Sequence, residues 1–99
     1  MTLSPKQRAH LRSLAHHLKP ILHVGKEGLS DSAVAAVELA FNNRELLKVK
    51  VTDGAPLTAR EVGDQIAERV DGAHHVQTIG RTVVLYRPDP EEPEIELPD

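Results

Sequence analysis

Ninety-nine residues with 39% hydrophobic content suit one small domain with a single core and leave no room for a second. The chain has no cysteine, which excludes disulfides, thiol nucleophiles and Cys-ligated zinc or iron–sulfur sites, and no apolar run approaches the roughly 18 residues of a membrane span. The formal net charge of −3 hides an asymmetry: residues 88–99 hold six acids and no base, so residues 1–87 carry all 12 Lys and Arg against nine acids, or +3.

The first six residues, Met1 to Lys6, have no signal-peptide pattern, so a cytoplasmic protein is expected. Ser4-Pro5-Lys6-Gln7 combines an N-cap serine, a proline at the first helical position and a glutamine three residues after the cap, and so predicts a helix start. Leu11, Leu14, Ala15 and Leu18 then follow at helical spacing as one apolar stripe, until Pro20 ends the helix near His17 or Leu18. The first 26 residues carry Lys6, Arg8, Arg12, Lys19 and Lys26 with no acid, together with His10, His16, His17 and His23. Such a segment is either a surface for a polyanion or a solvated helix face.

Ile21 to Val24 is short and mostly apolar, as a buried strand is, and Gly25-Lys26-Glu27-Gly28 follows as a G-x-x-G loop. Paired glycines release the backbone from side-chain sterics and let it approach a sugar-phosphate chain, as in KH-type modules, although many ordinary turns fit the pattern. Ser30 and Asp31 cap a second helix through about Phe41, whose inner stripe is Ala33, Val34, Val37, Ala40 and Phe41. Glu45 to Val51 is the clearest strand. Leu47, Val49 and Val51 face the core, and Lys48 and Lys50 face the other way, as a solvated face or as part of a phosphate-binding surface.

Thr58-Ala59-Arg60-Glu61 is a capping box that starts a third helix, carried by Val62, Ile66 and Val70 and ended at Gly72. Two strands, about His75 to Ile79 and Thr82 to Arg87, are joined by Gly80-Arg81 in a two-residue turn with Arg81 at its tip. The tail from Asp89 to Asp99, acidic and proline-rich, is expected to be mostly unfolded, with Glu94-Ile95-Glu96-Leu97 as the one piece able to dock on the domain edge. Six acids beside a +3 body could let it compete with a polyanion for the basic face, but a solubilising tail is the favoured reading.

The expected fold is a compact α/β domain of order α-β-α-β-α-β-β with a four-stranded mixed sheet, residues 1–88, followed by the tail, residues 89–99. Only Phe41 and Tyr86 are aromatic, so no stacking platform can be assembled and recognition rests on backbone and shape, with Tyr86 more at home in packing than on a base. His16-His17, His23 and His74-His75 lack a ligand spacing, so no metal or cofactor is expected. Glu61, Asp64 and Glu68, with Arg60 and Arg69 alongside, form an exposed helix face rather than a catalytic pair.

Four blocks in order resemble the CRM domain (chloroplast RNA splicing and ribosome maturation) in its stand-alone, YhbY-like bacterial form: residues 18–21, 24–30, 45–51 and 76–88. The resemblance covers about residues 3–88. It implies a non-enzymatic RNA-binding protein that associates with precursors of the large ribosomal subunit, on a fold related to the C-terminal domain of translation initiation factor three. It places the family's loop on Gly25, Lys26, Glu27 and Gly28, with Lys26 as the phosphate contact and Glu27 as the weaker fit. The wider expected RNA surface adds Lys6, Arg8, Arg12, Lys19, Lys48, Lys50 and Arg81. A monomer is expected, with large-subunit ribosomal RNA as partner and no membrane; a protein-interaction module or a general RNA-binding protein is the alternative.

Overall fold

The computed structural model describes all 99 residues. Helix α1 spans Pro5–Ala15, strand β1 Pro20–Val24, helix α2 Asp31–Ala40, strand β2 Leu46–Val51, helix α3 Ala59–Arg69, strand β3 His74–Ile79 and strand β4 Thr82–Tyr86. Both predicted capping boxes form: the Ser4 hydroxyl accepts from the Gln7 amide and the Gln7 side chain accepts from Ser4, while Thr58 and Glu61 repeat the exchange. Each box satisfies two amides that a helix start otherwise leaves unpaired. α1 stops at Ala15, slightly earlier than expected. α2 tightens into a short 3-10 turn, Phe41–Asn43, which turns the Phe41 side chain into the core.

The strands assemble in the order β1-β2-β4-β3, with β1 parallel to β2 and β4 antiparallel to both its neighbours. The sheet is therefore mixed, and β1, β2 and β3 all end at the same edge, where β4 begins. One face carries the larger core: Leu47, Val49 and Val51 of β2 with Val83 and Leu85 of β4, packed under Val34 and Val37 of α2 and Val62 and Ile66 of α3. Helices α2 and α3 thus share one face, as right-handed crossovers require.

The opposite face is not simply solvated. Leu46, Val84 and Tyr86 alternate onto that side and are buried with Val76 beneath Leu11 and Ala15 of α1. The lysine-bearing face predicted for β2 is half roofed by α1, so Lys48 is only partly exposed and Lys50 fully so. Tyr86 is 1% exposed, and burial above all, then the nearby Glu45 carboxylate, raises its pKa above the ordinary phenol value. It is not available to stack on a base.

The tail has no helix or strand, yet it is held. Glu45, 8% exposed, turns its carboxylate toward the tail and accepts backbone amides from Asp89 at 2.7 Å and from Glu94 and Ile95 at 2.8 Å. Ile95 and Leu97 pack on the α1-side cluster, and the Gln7 amide group donates to the Pro98 carbonyl at 3.0 Å. A buried carboxylate needs such donors, and a tail with few apolar groups needs such an anchor. The docked piece contains the Glu94-to-Leu97 alternation, and it runs along the domain rather than away from it.

Candidate nucleic-acid interface

Because β1 and β2 are parallel, the G-x-x-G loop and the β2–α3 loop leave the sheet side by side. The Thr52 amide and hydroxyl both donate to the Val24 carbonyl, at 2.9 and 3.3 Å. The Gly80-Arg81 turn joins them: the Val51 amide donates to the Arg81 carbonyl at 2.7 Å, and the Arg81 guanidinium pairs with Asp53. Three turns from distant parts of the chain meet at one edge.

Within the loop the Gly28 amide donates to the Gly25 carbonyl at 2.9 Å, closing a turn that presents Lys26 and Glu27 to solvent. Of the two glycines, only Gly28 uses the backbone freedom that the pair allows. Gly28 has φ +70°, and a Cβ there would stand 3.1 Å from Pro56 Cγ; Gly25 has an ordinary φ and faces Thr52 Oγ1 at 3.7 Å. A Cβ at Gly25 would make only ordinary van der Waals contact, so conformation calls for glycine at the second position and nothing in the fold calls for it at the first.

The charges sort into three groups. Lys26, Lys50 and Arg81 belong to the loop edge, but Asp53 neutralises Arg81 and Glu27 stands beside Lys26. Arg12 and Lys48 lie together on the α1 side, where a half-open cleft of about 610 Å³ separates the C-terminal turn of α1 from the sheet. His16 and His17 share that wall, and no carboxylate lines the cleft. Lys6 sits at the end of α1 where the tail docks, and Lys19 sits at the start of β1, so neither reaches the loop edge.

Arg8 has an internal task that the sequence did not signal. Its Nη1 donates to the His75 carbonyl at 2.7 Å and to the Val76 carbonyl at 3.3 Å, where β3 bulges against β4. A bulge leaves backbone groups without ladder partners, and the guanidinium supplies them. Asp64 and His75 are also joined: Asp64 Oδ1 lies 2.8 Å from His75 Nδ1, and His75 Nε2 lies 2.7 Å from Thr78 Oγ1. The helix face expected to be merely exposed is thus tied to β3 through one imidazole. Only the juxtaposition of α3 and β3 creates this chain, and no spacing in the sequence announces it.

Helix N-termini add to the edge. The Ser30 hydroxyl accepts from the Ala33 amide at 3.1 Å and starts α2 directly after the loop. Asp31 in the first turn is paired with Arg69 of α3 at 2.7 Å, and Arg69 also donates to the Leu29 carbonyl at 2.9 Å. The acid that opposes an anion at this helix start is therefore itself countered.

The fold defines a class, the small α/β domain built on a four-stranded mixed sheet. The chain belongs to the CRS1/YhbY (CRM) domain family, whose model matches residues 3–87, and the CRM domain is an RNA-binding domain rather than an enzyme. The chain is 45% identical to a Haemophilus influenzae protein named RNA-binding protein, over 98% of this chain and 96% of that one. It is 41% identical to YqeI of Bacillus subtilis, also named for RNA binding, over 97% and 99%. The solution structure of SAV1595 from Staphylococcus aureus superposes with a TM-score of 0.78 at 37% identity, covering 98% of this chain and all of that one.

Proposed function

We propose that the protein binds RNA in precursors of the large ribosomal subunit and assists their assembly in the cytoplasm, acting as a monomer through its G-x-x-G loop and basic surface. The observation that carries this reading is the meeting of Gly25–Gly28, the Asp53 loop and the Arg81 turn at one sheet edge, with Lys26 and Lys50 exposed there. Exposed turn amides and cations suit phosphate oxygens, and they make affinity dependent on salt and largely indifferent to sequence. The RNA-binding names of the relatives and the resemblance to ribosome-maturation domains support the same reading.

The docked tail bears on the competition idea. Its anchor, Glu45, precedes β2, while the loop edge follows β2, six residues further on, or about 20 Å at the rise of a strand. In this position the tail does not lie over the loop edge, so a solubilising and fastening role fits better than competition.

Crosslinking the protein to RNA in growing cells and sequencing the attached fragments tests the assignment. Enrichment of large-subunit ribosomal RNA is expected. Fragments scattered over messenger RNAs instead indicate a general RNA-binding protein.

A further inference from the structure

A pair of bases stands away from the loop edge, beside a cleft that no carboxylate lines. Arg12 and Lys48 stand at the cleft between α1 and the sheet, away from any carboxylate, and Lys48 Nζ rests 3.5 Å from the His16 carbonyl at the mouth. Below them the buried Ala15 and Val84 close the floor, Ile79 is the one exposed apolar side chain of the lining, and Gln77 contributes one amide side chain. Ile79 is 53% exposed. A cleft of about 610 Å³ falls within the range of small-molecule sites, and its parts are sorted as a nucleotide is sorted: cations at the rim, one exposed aliphatic side chain, and one group that can both donate and accept.

We infer that this cleft receives one unpaired nucleotide of the bound RNA, with its phosphate against Arg12 and Lys48, its base laid against Ile79, and its edge within reach of Gln77. The inference rests on the RNA-binding reading and deepens it. The domain lacks an aromatic platform, and the exposed Ile79 side chain takes its place. A base in the cleft demands single-stranded RNA at that point, whereas the loop edge, meeting phosphates alone, accepts paired or unpaired RNA. The protein thereby favours RNA with an unpaired nucleotide next to a backbone segment held by the loop.

The test uses the full chain and a 12-nucleotide single-stranded RNA in which each position in turn is made abasic, with binding followed by fluorescence anisotropy. In the wild-type protein one position is expected to lose about tenfold in affinity when its base is removed, within the range for a stacked base. In Ile79→Glu that penalty disappears, while in Lys26→Glu every RNA weakens by a common factor and the penalty stays. No abasic penalty above twofold, or a penalty that survives Ile79→Glu, overturns the cleft and leaves the RNA-binding reading intact. Absence of RNA binding by the wild type overturns both. If Ile79→Glu fails to fold by circular dichroism, Ile79→Ala and Gln77→Ala carry the test, each expected to reduce the penalty to threefold or less. Free uridine monophosphate binding as tightly as the oligonucleotide overturns a site that serves RNA.

Discussion

The imidazole of His75 lies so close to the backbone of Gly63 that a Cβ at Gly63 would stand 2.6 Å from Nε2 and 2.7 Å from Cε1. Glycine inside a helix costs up to about 1 kcal/mol against alanine, so its place in α3 needs a reason, and the ring provides it. The ring cannot swing aside cheaply, since Asp64 and Thr78 hold both its nitrogens. Gly63→Ala is therefore expected to destabilise the domain by about 1–3 kcal/mol. In a His75→Ala background the same change is expected to be neutral or stabilising. Urea denaturation of the four proteins of this double-mutant cycle gives the coupling, and an additive cycle removes the explanation.

Glu45 organises the tail. Glu45→Ala is expected to cost about 2–3 kcal/mol and to release residues 89–98, which hydrogen exchange would report as loss of protection at the Glu94 and Ile95 amides. Glu45→Gln, with one acceptor oxygen in place of two, is expected to fall between. Unchanged protection in Glu45→Ala means that Ile95 and Leu97 hold the tail without the carboxylate.

His74 sets a pH dependence. Burial first, and then the positive chain terminus and Arg8, hold its pKa below the ordinary imidazole value. The unfolded chain therefore binds the proton more readily than the folded one, and the folded state loses stability as pH falls below about 6.5 toward the folded pKa. Between pH 7.5 and 5.5 the urea midpoint of the wild type is expected to drop more than that of His74→Gln. Parallel curves for the two proteins would remove His74 as the cause.

Arg8 and Lys26 are both bases in the basic N-terminal segment, and they separate cleanly. Lys26→Ala is expected to weaken RNA binding and to lower the slope of log affinity against log salt by about one, with stability unchanged. Arg8→Ala is expected to leave that slope in place and to cost about 1–2 kcal/mol of stability, because two carbonyls at the β3 bulge lose their donor. Anisotropy over a salt series, alongside thermal melts, distinguishes the two.

Much of the fold was legible because its signals are local. Ser4 with Gln7 and Thr58 with Glu61 announce their helices within four residues, and the alternation from Leu47 to Val51 announces a strand. The loop edge was half legible: its glycines and Arg81 stood out, but the Arg81–Asp53 pair depends on two strands lying side by side. Arg8, Glu45 and His75 were not legible in their roles. Each is a charged or polar residue whose partner lies on another element or in the tail, and a sequence shows such a residue's charge without showing what meets it. The roofing of β2 by α1 was hidden for the same reason, since Lys48 and Lys50 read the same under a helix or under water.

Gln7 and Pro98, at opposite ends of the sequence, are joined at 3.0 Å, on the side of the domain away from the Gly25–Gly28 turn. The polypeptide thus enters and leaves through one doorway. Such a unit can be strung into a longer protein, or repeated in tandem, like a bead on a stem: whatever is fused at either end hangs behind it, and the loop edge stays in front. A circularly permuted version, closed by a short linker between the old ends and opened at the Asn42-Asn43 turn, would keep the three turns of the loop edge undisturbed.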